Sequence, residues 1–318
     1  MTDRTVIIGG GMSGLACARA LTLAGHAPLV LDKGRNSVGG RMATRRVASD
    51  AGEMRFDHGA QYITARTDAF AAFLAEMTGA VALWDDGAAH AHHVGRPGMA
   101  GLCRAMAEGI EIRQGVVVTA LDRGEAGWHM STGDDSVTAS RVVLTVPAPQ
   151  VAGLIGADHP LAAPLDAVTM APCLTLMAAF PADAPRPFVS RKSTEDTLAW
   201  IAQDSTKPGR PDRMTTWVAQ TDPDWSARHL DEDHETIAAK MLPLLCEQIG
   251  TEPEDALYAA AHRWGYARVT APLGRTFLRD DTASLYLGGD WCLGPRVEAA
   301  WQSGTAIAHD ILEQADAG

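Results

Sequence analysis

The sequence predicts an α/β protein: a three-layer domain of βαβ type around a parallel sheet, joined to a discontinuous second domain built on a mixed sheet. Three observations lead there. The β-branched run 5–8 enters a glycine turn and then an Ala-rich helix. Residues 28–31 follow as a second strand and end on an acidic residue, Asp32. Near the C-terminus a strand, a Gly-Gly turn and another Ala-rich helix restore the same architecture, so both ends of the chain belong to one domain.

Composition narrows the choice of function. A chain of 318 residues with 46% apolar content can bury a sizeable core. The 27 Lys and Arg against 39 Asp and Glu give a formal charge of −12, which opposes attraction to nucleic acid or anionic lipid. The Cys residues at 17, 103, 173, 246 and 292 are odd in number and widely spaced, which argues against a disulfide framework and a zinc site. A reducing, cytoplasmic setting is expected. No segment approaches the ~18 uninterrupted apolar residues of a membrane span, and no signal peptide is expected. His90, His92 and His93 lack an accompanying Cys or carboxylate set, so no metal site is expected there.

In chain order, residues 12–24 form the first helix with Gly25 at its C-terminal cap. Residues 116–118, 128–130 and 141–146 read as short strands of a small antiparallel sheet, closed by Pro147-Ala148-Pro149. From about 155 to 265 the texture changes to strands and helices broken by Pro-rich stretches at 181–187 and 207–211, which marks the second domain. The acidic run 231–235 reads as a helix start, where carboxylates complement the dipole. Residues 284–287 are a strand, 288–290 a turn, and 297–312 the closing helix.

Gly9-x-Gly11-x-x-Gly14 lies between a strand and a helix, with Asp32 in the 18th position beyond Gly14, the context of a dinucleotide-binding turn. Gly9 makes the tight turn, Gly11 lets the backbone approach a pyrophosphate, and Gly14 lets the helix pack closely. Met12 and Ser13, at the helix N-terminus, offer free N–H groups to phosphate. Asp32 would accept hydrogen bonds from an adenosine ribose. These features fit NAD and FAD equally.

Two further segments favour FAD. Val38-Gly39-Gly40-Arg41, followed by Met42, supplies a second glycine turn and a cation that can close over the pyrophosphate from its other side. Gly288-Gly289-Asp290 precedes a helix starting near Arg296 and Val297, a second helix N-terminus, and Asp290 suits a ribityl hydroxyl or a phosphate edge. The dipole there favours negative charge on the N1/C2 edge of a reduced flavin. An extended FAD spans both sites, and Val118 completes the cofactor-binding set.

These blocks resemble the FAD-dependent amine oxidase superfamily, and within it the renalase-like branch. Residues 56–66, FDHGAQYITAR, are similar to the hallmark that follows Gly-Gly-Arg-Met in renalases, as are 94–99, 261–268 and 289–304. The stretch from Asp32 to Arg41 is one residue longer than the usual renalase spacing, which affects how Lys33 and Arg35 meet the adenosine. The resemblance implies an amine oxidase type of fold and a noncovalently held FAD, despite Cys292 beside the flavin turn. It implies a FAD domain of residues 1–60, 95–155 and 265–318, with 61–94 and 156–264 forming the substrate domain.

It further implies hydride transfer to the flavin from NAD(P)H isomers reduced at the 2 or 6 position, restoring NAD(P)+, with O2 as the acceptor. Such a reaction needs a positioned donor ring and no obligatory nucleophile. Gln61 and Tyr62 are expected at the flavin, and Trp217, His262 and Trp264 are candidate walls of the substrate pocket. Two rivals stand beside this reading: a flavin amine oxidase or desaturase of the same superfamily, and a flavin-binding protein without turnover.

Overall fold

The computed structural model describes residues 4–49, 52–125, 127–133 and 135–316. Its largest sheet runs Leu278–Arg279, Leu285–Leu287, Arg141–Leu144, Thr5–Ile8, Leu29–Asp32 and Glu111–Gln114. All pairings are parallel except that of the outer strand Leu278–Arg279. Its inner strands are continuous apolar runs because both faces are covered. The helices Met12–Leu23 and Val297–Asp316 bury Ile7, Val30, Val143 and Tyr286 on one face. On the other, the three-stranded antiparallel sheet Ala120–Gly124, Gly127–Thr132 and Asp135–Ala139 buries Val6, Leu29, Leu31 and Val142. Helices, parallel sheet and small sheet are thus the three layers.

Two expectations for the middle of the chain are corrected. Residues 116–118 are not a strand; Ala120–Gly124 takes that place in the small sheet, while Glu111–Gln114 forms the edge of the parallel sheet. The run from 141 forms the strand Arg141–Leu144 inside the parallel sheet, between Thr5–Ile8 and Leu285–Leu287, and not in the small sheet. The physical reason is its unbroken apolar core: Val142, Val143 and Leu144 are all fully buried, which requires cover on both faces. Gly25 lies one residue past the first helix's cap at Ala24, with φ of +88°, and its N–H reaches the Thr22 carbonyl at 3.0 Å.

A second sheet has five strands in the order Ser190–Lys192, Leu198–Gln203, Thr215–Thr221, Thr169–Phe180 and Tyr258–Ala271, paired antiparallel. One face packs on the helix His234–Ile249 through Leu174, Leu176, Ile201, Trp217 and Ala261. That helix begins where the acidic run predicted: Asp233 caps it, accepting from the Thr236 N–H at 2.8 Å. The opposite face packs on the strand Gly52–Asp57 through Met177, Ala179 and Val218. No helix among the described residues is long and apolar enough to cross a membrane.

The two ends of the chain meet at the helix pair. A Cβ on Gly304 would lie 2.0 Å from the Ser13 carbonyl oxygen, so the closing helix touches the first helix backbone to backbone. A Cβ on Gly14 would lie 1.9 Å from the Gly9 carbonyl oxygen. Gly304→Leu is expected to separate the helices and to lower stability by about 1–3 kcal/mol, read as an earlier urea midpoint; an unchanged midpoint would disprove the contact.

Candidate active site

The site grows from the first glycine turn. The Gly9 N–H bonds the Leu31 carbonyl at 2.9 Å, and the Gly39 N–H bonds the Gly10 carbonyl at 2.8 Å, so the two glycine turns lie against each other. A Cβ on Gly11 would find no atom within 4 Å, which leaves open space above the helix start. Beside it the Ser13 hydroxyl is buried without a hydrogen-bond partner. An open cradle with an unsatisfied hydroxyl and free helix N–H groups fits the pyrophosphate of FAD.

Asp32 braces this cradle from below. One carboxylate oxygen accepts from the Gly10 N–H at 2.5 Å and the other from the Gly34 N–H at 2.6 Å. Lys33, Arg35 and Gly40 are exposed around it, whereas Met12 and Met42 are buried, the Met42 sulfur 3.8 Å from the Cys103 thiol. Val118 is half-buried at the edge of the core on the small-sheet side.

Arg41 joins the second glycine turn to the C-terminal one. Its guanidinium grips Asp290 with two bonds of 2.7 and 2.8 Å and reaches the Ala267 carbonyl at 3.2 Å. The Gly289 N–H is held by the Ser303 hydroxyl at 2.9 Å, and the helix follows at Val297. The Arg296 Nε is buried there without an acceptor, a donor available to a cofactor oxygen. Cys292 is buried in the core, and burial pushes its thiol up to about 12, which keeps it protonated and unreactive.

The segment after the strand Gly52–Asp57 carries the chemistry outward. The Ala60 N–H bonds the Arg41 carbonyl at 2.8 Å, and a Cβ on Gly59 would sit 2.0 Å from that same oxygen. The Gly59 carbonyl accepts from the side-chain amides of Gln61 at 3.1 Å and Gln220 at 2.8 Å. The Gln61 amide also donates to the Asp57 carbonyl, and its oxygen accepts from Lys207 at 3.4 Å. Gln61 therefore shapes the turn with every polar atom it has.

Two aromatic groups flank this turn. His58, His262 and Trp264 pack at centroid separations of 4.4 to 5.5 Å, and the Trp264 indole N–H bonds the His58 carbonyl at 2.7 Å. On the other side Tyr62 stacks on His92 at 3.7 Å and leans on Trp200 at 5.2 Å. Asp86 fixes His92 through a 3.0 Å contact to Nδ1 while accepting from the Ser190 hydroxyl. The expected pair His262 and Trp264 is thus brought together with His58, while His92 and Trp200 pack against Tyr62 and Gln220 meets the Gly59 carbonyl; sequence reading gave none of these added residues a role.

Trp217 is the exception. It is fully buried in the core between the second sheet and the helix His234–Ile249, with its ring 5.2 Å from Phe188. Side chains alternate along a strand, so Val218 faces the strand Gly52–Asp57 and Gln220 the Gly59 carbonyl, while Trp217 and Ala219 face the helix. A pocket wall at Trp217 is ruled out by that parity. Trp217→Ala is expected to destabilise by about 3–5 kcal/mol without a separate effect on substrate handling. A change in substrate KM at undiminished stability would return Trp217 to the pocket.

Behind Gln61 lies a fully buried ion cluster. Lys207 Nζ is 3.2 Å from Asp57 and 2.5 Å from Asp204, and Arg210 also pairs with Asp57. Asp57 further accepts from Thr44 at 2.7 Å and from the Met99 N–H at 2.8 Å. Burial alone would raise the Asp57 carboxyl, but Lys207 and Arg210 hold it below the usual carboxylate range. Lysines and arginines are seldom buried without such partners, and nothing in the local sequence signals that these will be.

The histidines of the ring group are uncharged. Burial, then the nearby Arg45 guanidinium, lowers His58 to about 4; burial, then the neighbouring His58 and Arg45, lowers His262 to about 3. An unfolded histidine binds its proton near 6.5 while these do not. Stability is therefore expected to fall as pH drops from about 6.5 toward 4. The check is Tm against pH for the protein and for a His58→Asn, His262→Asn variant: a flatter curve for the variant is expected, and identical slopes would contradict the assignment.

Comparison with known proteins agrees with this geometry. The family profile described as flavin containing amine oxidoreductase matches residues 69–312, and one described as NAD(P)-binding Rossmann-like domain matches residues 7–77. AofH of Mycobacterium tuberculosis, which carries the name flavin-containing monoamine oxidase, is 43% identical over 76 residues, 24% of this chain and 16% of that protein. The matched segment is thus a small part of that relative. Cyclohexylamine oxidase from Brevibacterium oxydans superposes with a TM-score of 0.76 at 14% identity, covering 98% of this chain and 99% of that one. Putrescine oxidase bound to putrescine does so with 0.74 at 14%, with the same coverage. At such identities the likeness is one of fold.

Proposed function

Because the chain belongs to the flavin-containing amine oxidoreductase family and is an FAD-dependent oxidoreductase, we propose that it oxidises the 2- and 6-dihydro isomers of NAD(P)H to NAD(P)+, a hydride passing to FAD and the electrons onward to O2, released as H2O2. The observation that carries this reading is the group of neutral rings, His58, His262 and Trp264, set beside the turn that links Arg41 to Gln61. Flat, uncharged surfaces suit a dihydronicotinamide held parallel to a flavin. The chain's own task is then to orient that ring and to shield it from water, for which Tyr62, Trp200 and His92 form a second stacked wall.

Oxidation of an amine, the activity named for the fold relatives, is the second reading. Against it stands the sign of the local charge. Two of the groups that depress His262, Arg45 and Arg263, carry permanent positive charge and would repel an ammonium group.

Anaerobic mixing of the FAD-loaded protein with NADH containing the 2- and 6-dihydro isomers, and separately with simple amines, tests the choice. Rapid bleaching of the flavin band by the isomers, with peroxide released on admitting air, is the expected result. Bleaching by amines alone would transfer the protein to the amine-oxidising branch.

A further inference from the structure

Arg45 stands out among the cations around the ring group. It lies on the strand Thr44–Ser49, directly opposite Phe56 on the antiparallel neighbour Gly52–Asp57. Opposite residues project from the same face, and a diagonal neighbour two positions along lies about 7–8 Å away, which brings Arg45 alongside His58. It is half-buried, and among the described residues it makes no hydrogen bond and no ion pair. Its charge nevertheless reaches both His58 and His262.

Three nearby arginines are committed elsewhere. Arg41 is bound to Asp290, Arg210 to Asp57, and Arg263 to the Leu230 and Glu232 carbonyls. Arg45 is therefore a guanidinium with its donor fork free, next to rings able to stack a planar group, in a chain of net charge −12. A guanidinium fork matches two oxygens of a phosphate, and partial burial strengthens that pairing.

We infer that Arg45 is a specificity-determining residue that receives a phosphate of the dinucleotide substrate while its nicotinamide lies against His58, His262 and Trp264. This rests on the proposed oxidation of dihydronicotinamide isomers and adds the means by which the site tells a phosphate-bearing substrate from a neutral or cationic one.

The test is the anaerobic reduction of the FAD-loaded protein, followed at the flavin band, with isomerised NADH and with the corresponding dihydronicotinamide riboside, which has no phosphate. Arg45→Met is expected to raise the half-saturating concentration of the dinucleotide by roughly 10- to 100-fold. The riboside value should stay unchanged, and Arg45→Lys should recover part of the loss. NAD+ binding, read from its perturbation of the flavin spectrum, should weaken by a similar factor. An equal loss for riboside and dinucleotide, no loss for either, or loss of FAD itself from the variant would overturn the assignment. If the unsubstituted protein is bleached by neither compound, the proposed reaction fails first and Arg45 falls with it. Bleaching that is indifferent to Arg45 removes Arg45 alone.

Discussion

The buried carboxylate of Asp57 is the constraint on which the site depends. It ends the strand Gly52–Asp57, takes hydrogen bonds from Thr44 and from the Met99 backbone, and pairs with Lys207 and Arg210 from the loop between two strands of the second sheet. Removing either side of such a pair strands an uncompensated charge, at a cost of about 3–5 kcal/mol. The cluster therefore ties the turn 58–62 to both halves of the molecule. Through Lys207, which donates to the Gln61 oxygen, it holds the orientation of that turn.

From this joint the rest of the site is fixed by close backbone approach. Gly304 allows the first and last helices to touch, which joins the two ends of the chain in one layer, and Gly14 lets the first helix lie close on the Gly9 turn. Gly59 allows the turn to lie on the Arg41 carbonyl. Arg41 then reaches Asp290, so the second and third glycine turns are linked by a single side chain. Each contact leaves no room for a Cβ, and the cradle owes its shape to these exclusions as much as to any attraction.

Electrostatically the site separates two functions. The rings are kept neutral by burial and by nearby cations, so they offer surface without charge. Several formal charges are paired: Arg41 with Asp290, and Lys207 and Arg210 with Asp57. Arg45, without a hydrogen-bond or ion-pair partner among the described residues, and Arg296, whose Nε has no acceptor, depart from that pattern, and such departures are where ligands are met.

The sequence by itself determined the parts governed by local rules. The glycine spacing 9, 11 and 14, the acidic end of the second strand, the Gly39-Gly40-Arg41 and Gly288-Gly289-Asp290 turns and the helix start at Asp233 were legible because each follows from backbone geometry within a few residues. Residues 141–144 were recognised as a strand but assigned to the wrong sheet, since periodicity reports burial on both faces and not the identity of the neighbours. What only the tertiary structure decided was which residues from distant strands share a face. Trp217 and Gln220 are three residues apart on one strand and lie on opposite sides of it, one in the helix-facing core and the other on the Gly59 carbonyl. A strand's alternation sorts side chains into two sets, and only the packing of one sheet against its neighbours says which set is core and which is site.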